Sequence, residues 1–249
     1  MDHASPDDTP LRPWLAHYPE GVPHDIDPAQ YRSLAALLEE SLKKHADRPV
    51  SVCMDRWMSY GQLDDHSAAL GAWLQARDMP ADARVAVMLP NIPQFLVAMT
   101  AILRAGYTVV NVNPLYTARE LEHQLKDSGA EAIIILENFC ATLEEVIDHT
   151  PVRHVVIASM GDMLGFWYGR WVSFAVRHLA KMVPPFRLSR SAATGPRTVV
   201  GFRQALSEGH ALSLRPNTAT HQSIAFLQYT GGTTGLSKGA VLTHRNVIA

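Results

Sequence analysis

The chain has 249 residues, of which 47% are hydrophobic and 18% charged; 22 Lys+Arg stand against 24 Asp+Glu, a formal net charge of −2. A chain this apolar and weakly charged is not disordered, and it lacks the basic surplus that general nucleic-acid binding needs. Its length allows one large domain or two small ones.

Residues 1–28 are rich in proline and acidic side chains and read as an irregular arm. The start, MDHASPDDTP, has no apolar core of a signal peptide. Ser33 opens a helix whose Leu34, Leu37, Leu38 and Leu42 form one apolar stripe, and Asp47-Arg48-Pro49 ends it. Val50–Met54 and Trp57–Tyr60 read as strands, followed by a helix from about Gly61 to Arg77. Arg84–Pro90 is a short apolar run and predicts a buried strand. Pro93 sits at a tolerated early position of the next helix, with Phe95, Met99, Ile102 and Leu103 as its buried face and Gly106 at its end. Thr108–Val112 is a strand, and Asn113–Pro114 turns the chain. Thr117 and Glu120 have capping-box spacing, so a helix is expected from there to Gly129. Ala132–Leu136 predicts a strand, 139–149 a helix and Val155–Ile157 a strand. Ile224–Gln228 and Val241–Leu242 are strands around a Gly/Thr loop, and Thr243–Asn246 begins a helix. Strands alternating with helices predict an α/β fold of layered parallel or mixed sheets flanked by helices. Two cysteines, Cys53 and Cys140, make no disulfide framework and fit a reducing cytosol. No uncharged apolar run reaches the roughly 18 residues of a membrane span.

Two segments carry chemistry. The first is Tyr229-Thr-Gly-Gly-Thr-Thr-Gly-Leu-Ser-Lys-Gly-Ala240. Its glycines expose successive backbone N–H groups, its hydroxyls add donors, and Lys238 adds a cation, a set suited to polyphosphate. It is not a Walker A loop, because Lys238 follows Ser237 and precedes Gly239. A plain glycine-rich hairpin is the alternative.

The second segment is 163–207, which has no acidic residue and contains Arg170, Arg177, Lys181, Arg187, Arg190, Arg197 and Arg203. A helix over Phe166–Val183 places Arg170, Arg177 and Lys181 on one face, with Trp167, Trp171, Phe174 and Leu179 off that stripe; Pro184–Pro185 ends it. Residues 163–190 thus suit peripheral contact with an anionic membrane, or equally a helix packed on its own domain with a solvated basic face.

Other patterns are weaker. Ser41-Leu-Lys-Lys44 has Ser-x-x-Lys spacing but lies on the first amphipathic helix without companion motifs. Asp64 and Asp65 are adjacent, so a helix points them apart. Asn91 and Asn113 mark turns beside prolines. His244 follows the loop and either approaches a ligand or packs. The twelve histidines make no HExxH or Cys/His cluster; His149 and His154 straddle a proline, and all read as scattered, so no metal ligand is expected.

Leu227-Gln-Tyr-Thr-Gly-Gly-Thr-Thr-Gly-Leu-Ser-Lys238 closely resembles the AMP-binding signature of the adenylate-forming superfamily, which includes acyl-CoA synthetases, luciferases and peptide-synthetase adenylation domains. Met88–Pro93, Arg104-Ala-Gly106 and Asn111–Leu121 are similar to that family's N-terminal segments, and the wording is most like bacterial long-chain fatty acid–CoA ligases. The likeness runs from about residue 26 onward. It implies attack of an acyl carboxylate on the α-phosphate of ATP, then displacement of AMP by CoA. It implies ATP, Mg2+ and CoA as cofactors and a long-chain fatty acid as partner, in the cytoplasm or on the inner face of a membrane. A homo-oligomer is compatible with it; nucleic acid is not a partner. Carried over, Thr230, Gly231, Gly232, Thr233, Thr234, Gly235 and Lys238 hold the β- and γ-phosphates. An aryl- or aminoacyl-adenylating relative and a non-catalytic phosphate- or lipid-surface module are the competing readings. The family's later segments (aromatic-Gly-x-Thr-Glu, the ribose-binding Asp, the hinge, the C-terminal catalytic Lys) have no match here. Residues 29–249 are therefore expected to be the N-terminal portion of the AMP-binding domain, with the C-terminal domain absent. This chain alone is expected to be inactive as a ligase, and prone to aggregate at an unfinished sheet edge.

Overall fold

The computed structural model describes residues 12–192, 195–230 and 237–249. The described part of the arm is mostly exposed and is tied by an Arg12–Asp25 ion pair at 2.6 Å. Helix α1 (Leu34–Lys44) begins where Ser33 Oγ accepts the Ala36 N–H. Strands β1 (Pro49–Cys53) and β2 (Arg56–Ser59) form a separate antiparallel hairpin. Its turn residues, Met54 and Asp55, both have positive φ, as the tight turn of a twisted two-strand ribbon requires. Helix α2 (Tyr60–Gln75) follows a Ser59/Gln62 capping box.

The main unit alternates strand and helix: β3 (Arg84–Met88), α3 (Pro93–Arg104), β4 (Thr108–Asn111), α4 (Ala118–Ser128), β5 (Ala132–Leu136), α5 (Cys140–Glu144) and β6 (His154–Ala158). The Thr117/Glu120 capping box is present, and Gly129 closes α4 in the left-handed conformation. The predicted helix over 139–149 is instead a short α5 between two 3-10 turns. Then come α6 (Phe166–Phe174), a two-strand ribbon of β7 (Ser191–Ala192) and β8 (Gly195–Pro196), β9 (Thr198–Gly201), α7 (Phe202–His210), β10 (Ile224–Thr230), β11 (Lys238–Thr243) and α8 (His244–Ile248).

Seven strands make one sheet in the order β11-β10-β4-β3-β5-β6-β9. Six run parallel and β11 alone is antiparallel, paired to β10. Period-two alternation splits the core between the two faces. Val85, Val87, Val109 and Ile134 pack with α1, α2, α3 and α7 around the fully buried Trp73 and Phe202. Ala86, Met88, Val110, Ile133 and Ile135 pack with α4 and α5 on the other face. Strand β9 and helix α7 were not anticipated from the sequence, although Phe202, Ala205, Leu206 and Gly209 lie at i, i+3, i+4 and i+7 and are all buried.

The helix expected over Phe166–Val183 is shorter than predicted. Regular α-helix stops at Phe174 and passes into a π turn over Ala175–Leu179. Lys181 takes φ +52° and the Met182 N–H bonds the Val176 carbonyl at 3.0 Å, a left-handed wrap that ends the helix ahead of the prolines.

His154, at the start of β6, is 8% exposed, and neither ring nitrogen has a partner among the described residues. Burial, reinforced by the nearby Arg153 and Arg77 guanidinium groups, lowers its pKa to about 4. The folded state therefore resists a proton that the unfolded chain accepts below its ordinary value of 6.5, and stability falls as pH drops from about 6.5 towards 4. We expect a loss of about 2 kcal/mol between pH 7 and pH 5, measured by urea unfolding. His154→Leu is expected to flatten most of that slope; an unchanged slope would refute the assignment.

Candidate functional site

All six parallel strands end at the same edge of the sheet. From β3 the chain crosses to α3 on one face, and from the neighbouring β4 it crosses to α4 on the other. Such a switch of faces opens a crevice beyond the strand C-termini, the usual ligand position in open α/β sheets. Strand β10 is parallel to β4, with Gln228 opposite Asn111, so Thr230 arrives beside this crevice. The chain returns as β11, with Lys238 opposite Thr230. Both residues are exposed, side by side at the mouth of the hairpin. Gly231, Gly232, Thr233, Thr234 and Gly235 lie outside the described residues.

Helix α4 braces this mouth. The Tyr229 hydroxyl donates to Asp127 Oδ2 at 2.6 Å, and burial together with that carboxylate pushes the Tyr229 pKa up. The Tyr229 ring lies so close to Gly239 that a Cβ there would meet it at 3.0 Å, so a larger residue would have to displace the ring by a few tenths of an ångström. One turn earlier on α4, His123 Nε2 donates to the Ser237 carbonyl at 3.2 Å. Asn111 Nδ2 donates to Gln228 Oε1 at 2.9 Å, and Gln124 Nε2 donates to the Asn111 carbonyl at 2.7 Å. The sequence reading missed His123, Gln124 and Asp127. Their signal was polar residues at i, i+1 and i+4 on the helix just after the strand end.

The other candidates resolve by geometry. Asp64 pairs with Arg104 at 2.8 Å while Asp65 faces His66 and His210, so the two carboxylates do point apart. Asn113 Oδ1 accepts the Leu115 N–H in a turn. His244 is 2% exposed and its Nδ1 accepts the Leu34 N–H at 3.0 Å; it packs α8 onto the start of α1.

The basic segment divides into two groups. Arg197 has a fully buried side chain paired with Asp148, and it donates to the carbonyls of Ile147, Val152, Ser189 and Ser191. Arg177 pairs with the buried carboxylate of Glu137, and Arg203 pairs with Asp162. These three are structural rather than members of a free basic face, because each neutralises an acid from outside the segment. Arg170, Lys181, Arg187 and Arg190 remain exposed, as do Phe166, Trp167, Trp171, Phe174, Leu179 and Met182. A cavity of about 280 Å³ beneath α6 is lined by Arg170, Ser173, Arg177 and Arg203, among others. Among the described residues, no helix is long and apolar enough to cross a membrane.

Comparison with known proteins agrees with this architecture. The family described as AMP-binding enzyme matches residues 38–249. A long-chain-fatty-acid--CoA ligase of Escherichia coli O157:H7 is 46% identical over 237 residues, covering 95% of this chain and 41% of that protein. The chain thus spans about two-fifths of the length of the curated relatives it matches. The crystal structure of an anthranilate CoA ligase in complex with anthranoyl-AMP superposes with a TM-score of 0.66 at 19% identity, covering 88% of this chain and 37% of that one. A long-chain-fatty-acid-CoA ligase from Archaeoglobus fulgidus superposes with a TM-score of 0.62 at 20% identity, covering 87% and 38%. These two likenesses establish the fold, a mixed sheet flanked by helices as in the N-terminal part of adenylate-forming enzymes. With its signature hairpin at the ligand edge of that sheet and the family match over most of its length, the chain belongs to the AMP-binding enzyme family.

Proposed function

We propose that the chain is part of an ATP-dependent long-chain fatty acid–CoA ligase, with residues 29–249 forming the N-terminal portion of its adenylation domain. The observation that carries this is the placement of Thr230 opposite Lys238 at the ligand edge of the sheet, braced by α4. The donors there, a hydroxyl and an ammonium at the two ends of a glycine-rich stretch of sequence, suit phosphate oxygens. In this reading Thr230, Lys238 and the intervening Gly231, Gly232, Thr233, Thr234 and Gly235 hold the β- and γ-phosphates of ATP. They orient the α-phosphate for attack and stabilise charge on departing pyrophosphate. When bound, Mg2+ supplies charge neutralisation on the phosphates, and CoA supplies the thiol that accepts the acyl group. The fatty acyl substrate follows from the likeness to long-chain-fatty-acid--CoA ligases. Its test is adenylate formation by the full-length gene product with palmitate, decanoate, benzoate and anthranilate. Preference for palmitate supports the reading, whereas preference for an aryl acid favours the other ligase class.

The exposed aromatics of α6 support peripheral attachment of such an enzyme to the cytoplasmic face of a membrane. Trp167 is 80% exposed, and Arg170 and Lys181, which have no ion-pair partner among the described residues, complement anionic headgroups. Replacing Trp167 and Trp171 together by serine is expected to lower partition onto vesicles containing phosphatidylglycerol at least tenfold, by co-sedimentation. Partition equal to the parent's would exclude this helix as the contact.

A further inference from the structure

The fold brings together two histidines that are far apart in the chain. His66 and Asp65 lie on α2, and His210 ends α7. His66 Nδ1 is 3.6 Å from Asp65 Oδ2, and His210 Nε2 is 3.7 Å from the same oxygen. One ligand atom from each of the three falls within 4.8 Å of the others. His66 Nδ1 is buried and has no hydrogen-bond partner among the described residues. The neighbouring acid, Asp64, is engaged by Arg104, and the neighbouring cation, Arg203, by Asp162. Asp65 and the two imidazoles are thus left facing one another.

We propose that Asp65, His66 and His210 form a binding site for a divalent transition metal, best suited to Zn2+, that joins α2 to α7. Bonds of about 2.0–2.1 Å in tetrahedral geometry set ligand atoms about 3.4 Å apart, close to the 3.6 and 3.7 Å between Asp65 Oδ2 and the two imidazoles. Two imidazoles and one carboxylate favour zinc and its neighbours over magnesium or calcium, which take oxygen ligands. The backbone is held firmly here. Gly209, next to His210, meets Ala69 on α2 so tightly that a Cβ would lie 2.0 Å from the Ala69 carbonyl oxygen. This contact sets the separation of the two helix backbones next to His210. His66 and His210 also line a cavity of about 450 Å³, which leaves room for water as a fourth ligand.

The test is titration of chelator-treated, metal-free protein with Zn2+ against a chromophoric competitor, alongside thermal unfolding and Co2+ absorption. We expect one equivalent bound, a tetrahedral Co2+ spectrum, and a rise in Tm of about 5 °C or more at a hundredfold excess over Kd. His66→Gln and His210→Gln are each expected to weaken Zn2+ at least tenfold and abolish the Tm rise, while Tm without metal is unchanged. Asp65→Asn provides a third variant that keeps both imidazoles, and it is expected to weaken binding in the same direction. Zn2+ affinity unaltered by all three changes, or no saturable binding at micromolar metal, would overturn the site.

Discussion

Alanine at Lys238 is expected to slow acyl-adenylate formation about a hundredfold in the full-length gene product, the loss typical of removing one preorganised donor to developing charge. Lys238 opens β11 opposite Thr230 and is exposed, so its ammonium contributes little to the fold, and the unfolding midpoint is expected to stay within measurement error. The effect should fall on turnover at saturating ATP, because charge builds on the pyrophosphate as the bond to the α-phosphate breaks. Lys238→Arg keeps the cation and is expected to restore part of the rate. Its planar fork presents donors at different angles from an ammonium, so the restoration is incomplete. Pyrophosphate release by Lys238→Ala at the parent rate would remove Lys238 from the site.

Arg197→Ala is expected to cost about 3 kcal/mol of stability, measured by urea unfolding. Arg197 looks like one of many surface charges in an acid-free stretch, yet its side chain is wholly buried. It gathers carbonyls from the end of the α5 region, Ile147 and Val152, and from the connection before β9, Ser189 and Ser191. Truncation leaves those carbonyls without their donor and frees the Ser189–Ser191 stretch from the sheet edge, so protease cleavage near Arg187 and Arg190 should accelerate. Arg197→Lys is not expected to rescue, since one ammonium cannot reach acceptors spread over two segments. By contrast, changing the exposed Arg187 or Arg190 to Ser should leave the midpoint nearly unchanged. Equal stability of Arg197→Ala and the parent would refute this role for Arg197.

How much of this was legible beforehand depends on whether the determinant was local. The β3 to β6 alternation was, because Val85–Met88, Val109–Val110 and Ala132–Leu136 are continuous apolar runs, each bounded by a turn or cap. The Thr117/Glu120 box was too, since both partners sit within one turn. The family membership was legible because the order of glycines and hydroxyls from Thr230 to Lys238 is itself the signal, and the family match covers residues 38–249. What was missed depends on tertiary neighbours. Arg177 reads as part of a basic helical face, and Arg197 and Arg203 as members of an acid-free stretch, until Glu137, Asp148 and Asp162 meet them from other elements. His123 and Asp127 gain meaning only when β10 and β11 dock beside α4. His66 and His210 read as scattered histidines until α2 and α7 pack. Helix α7 has the right periodicity, but its apolar stripe of Phe202, Ala205 and Leu206 is short and carries no side-chain cap at Gly201.

The most direct test of the central claim is ATP–pyrophosphate exchange by the full-length gene product, with and without palmitate, in the parent and in Lys238→Ala. Palmitate-dependent exchange in the parent that falls about a hundredfold in the variant is the expected result. Absence of exchange with palmitate in the parent, or equal exchange in both proteins, would contradict it.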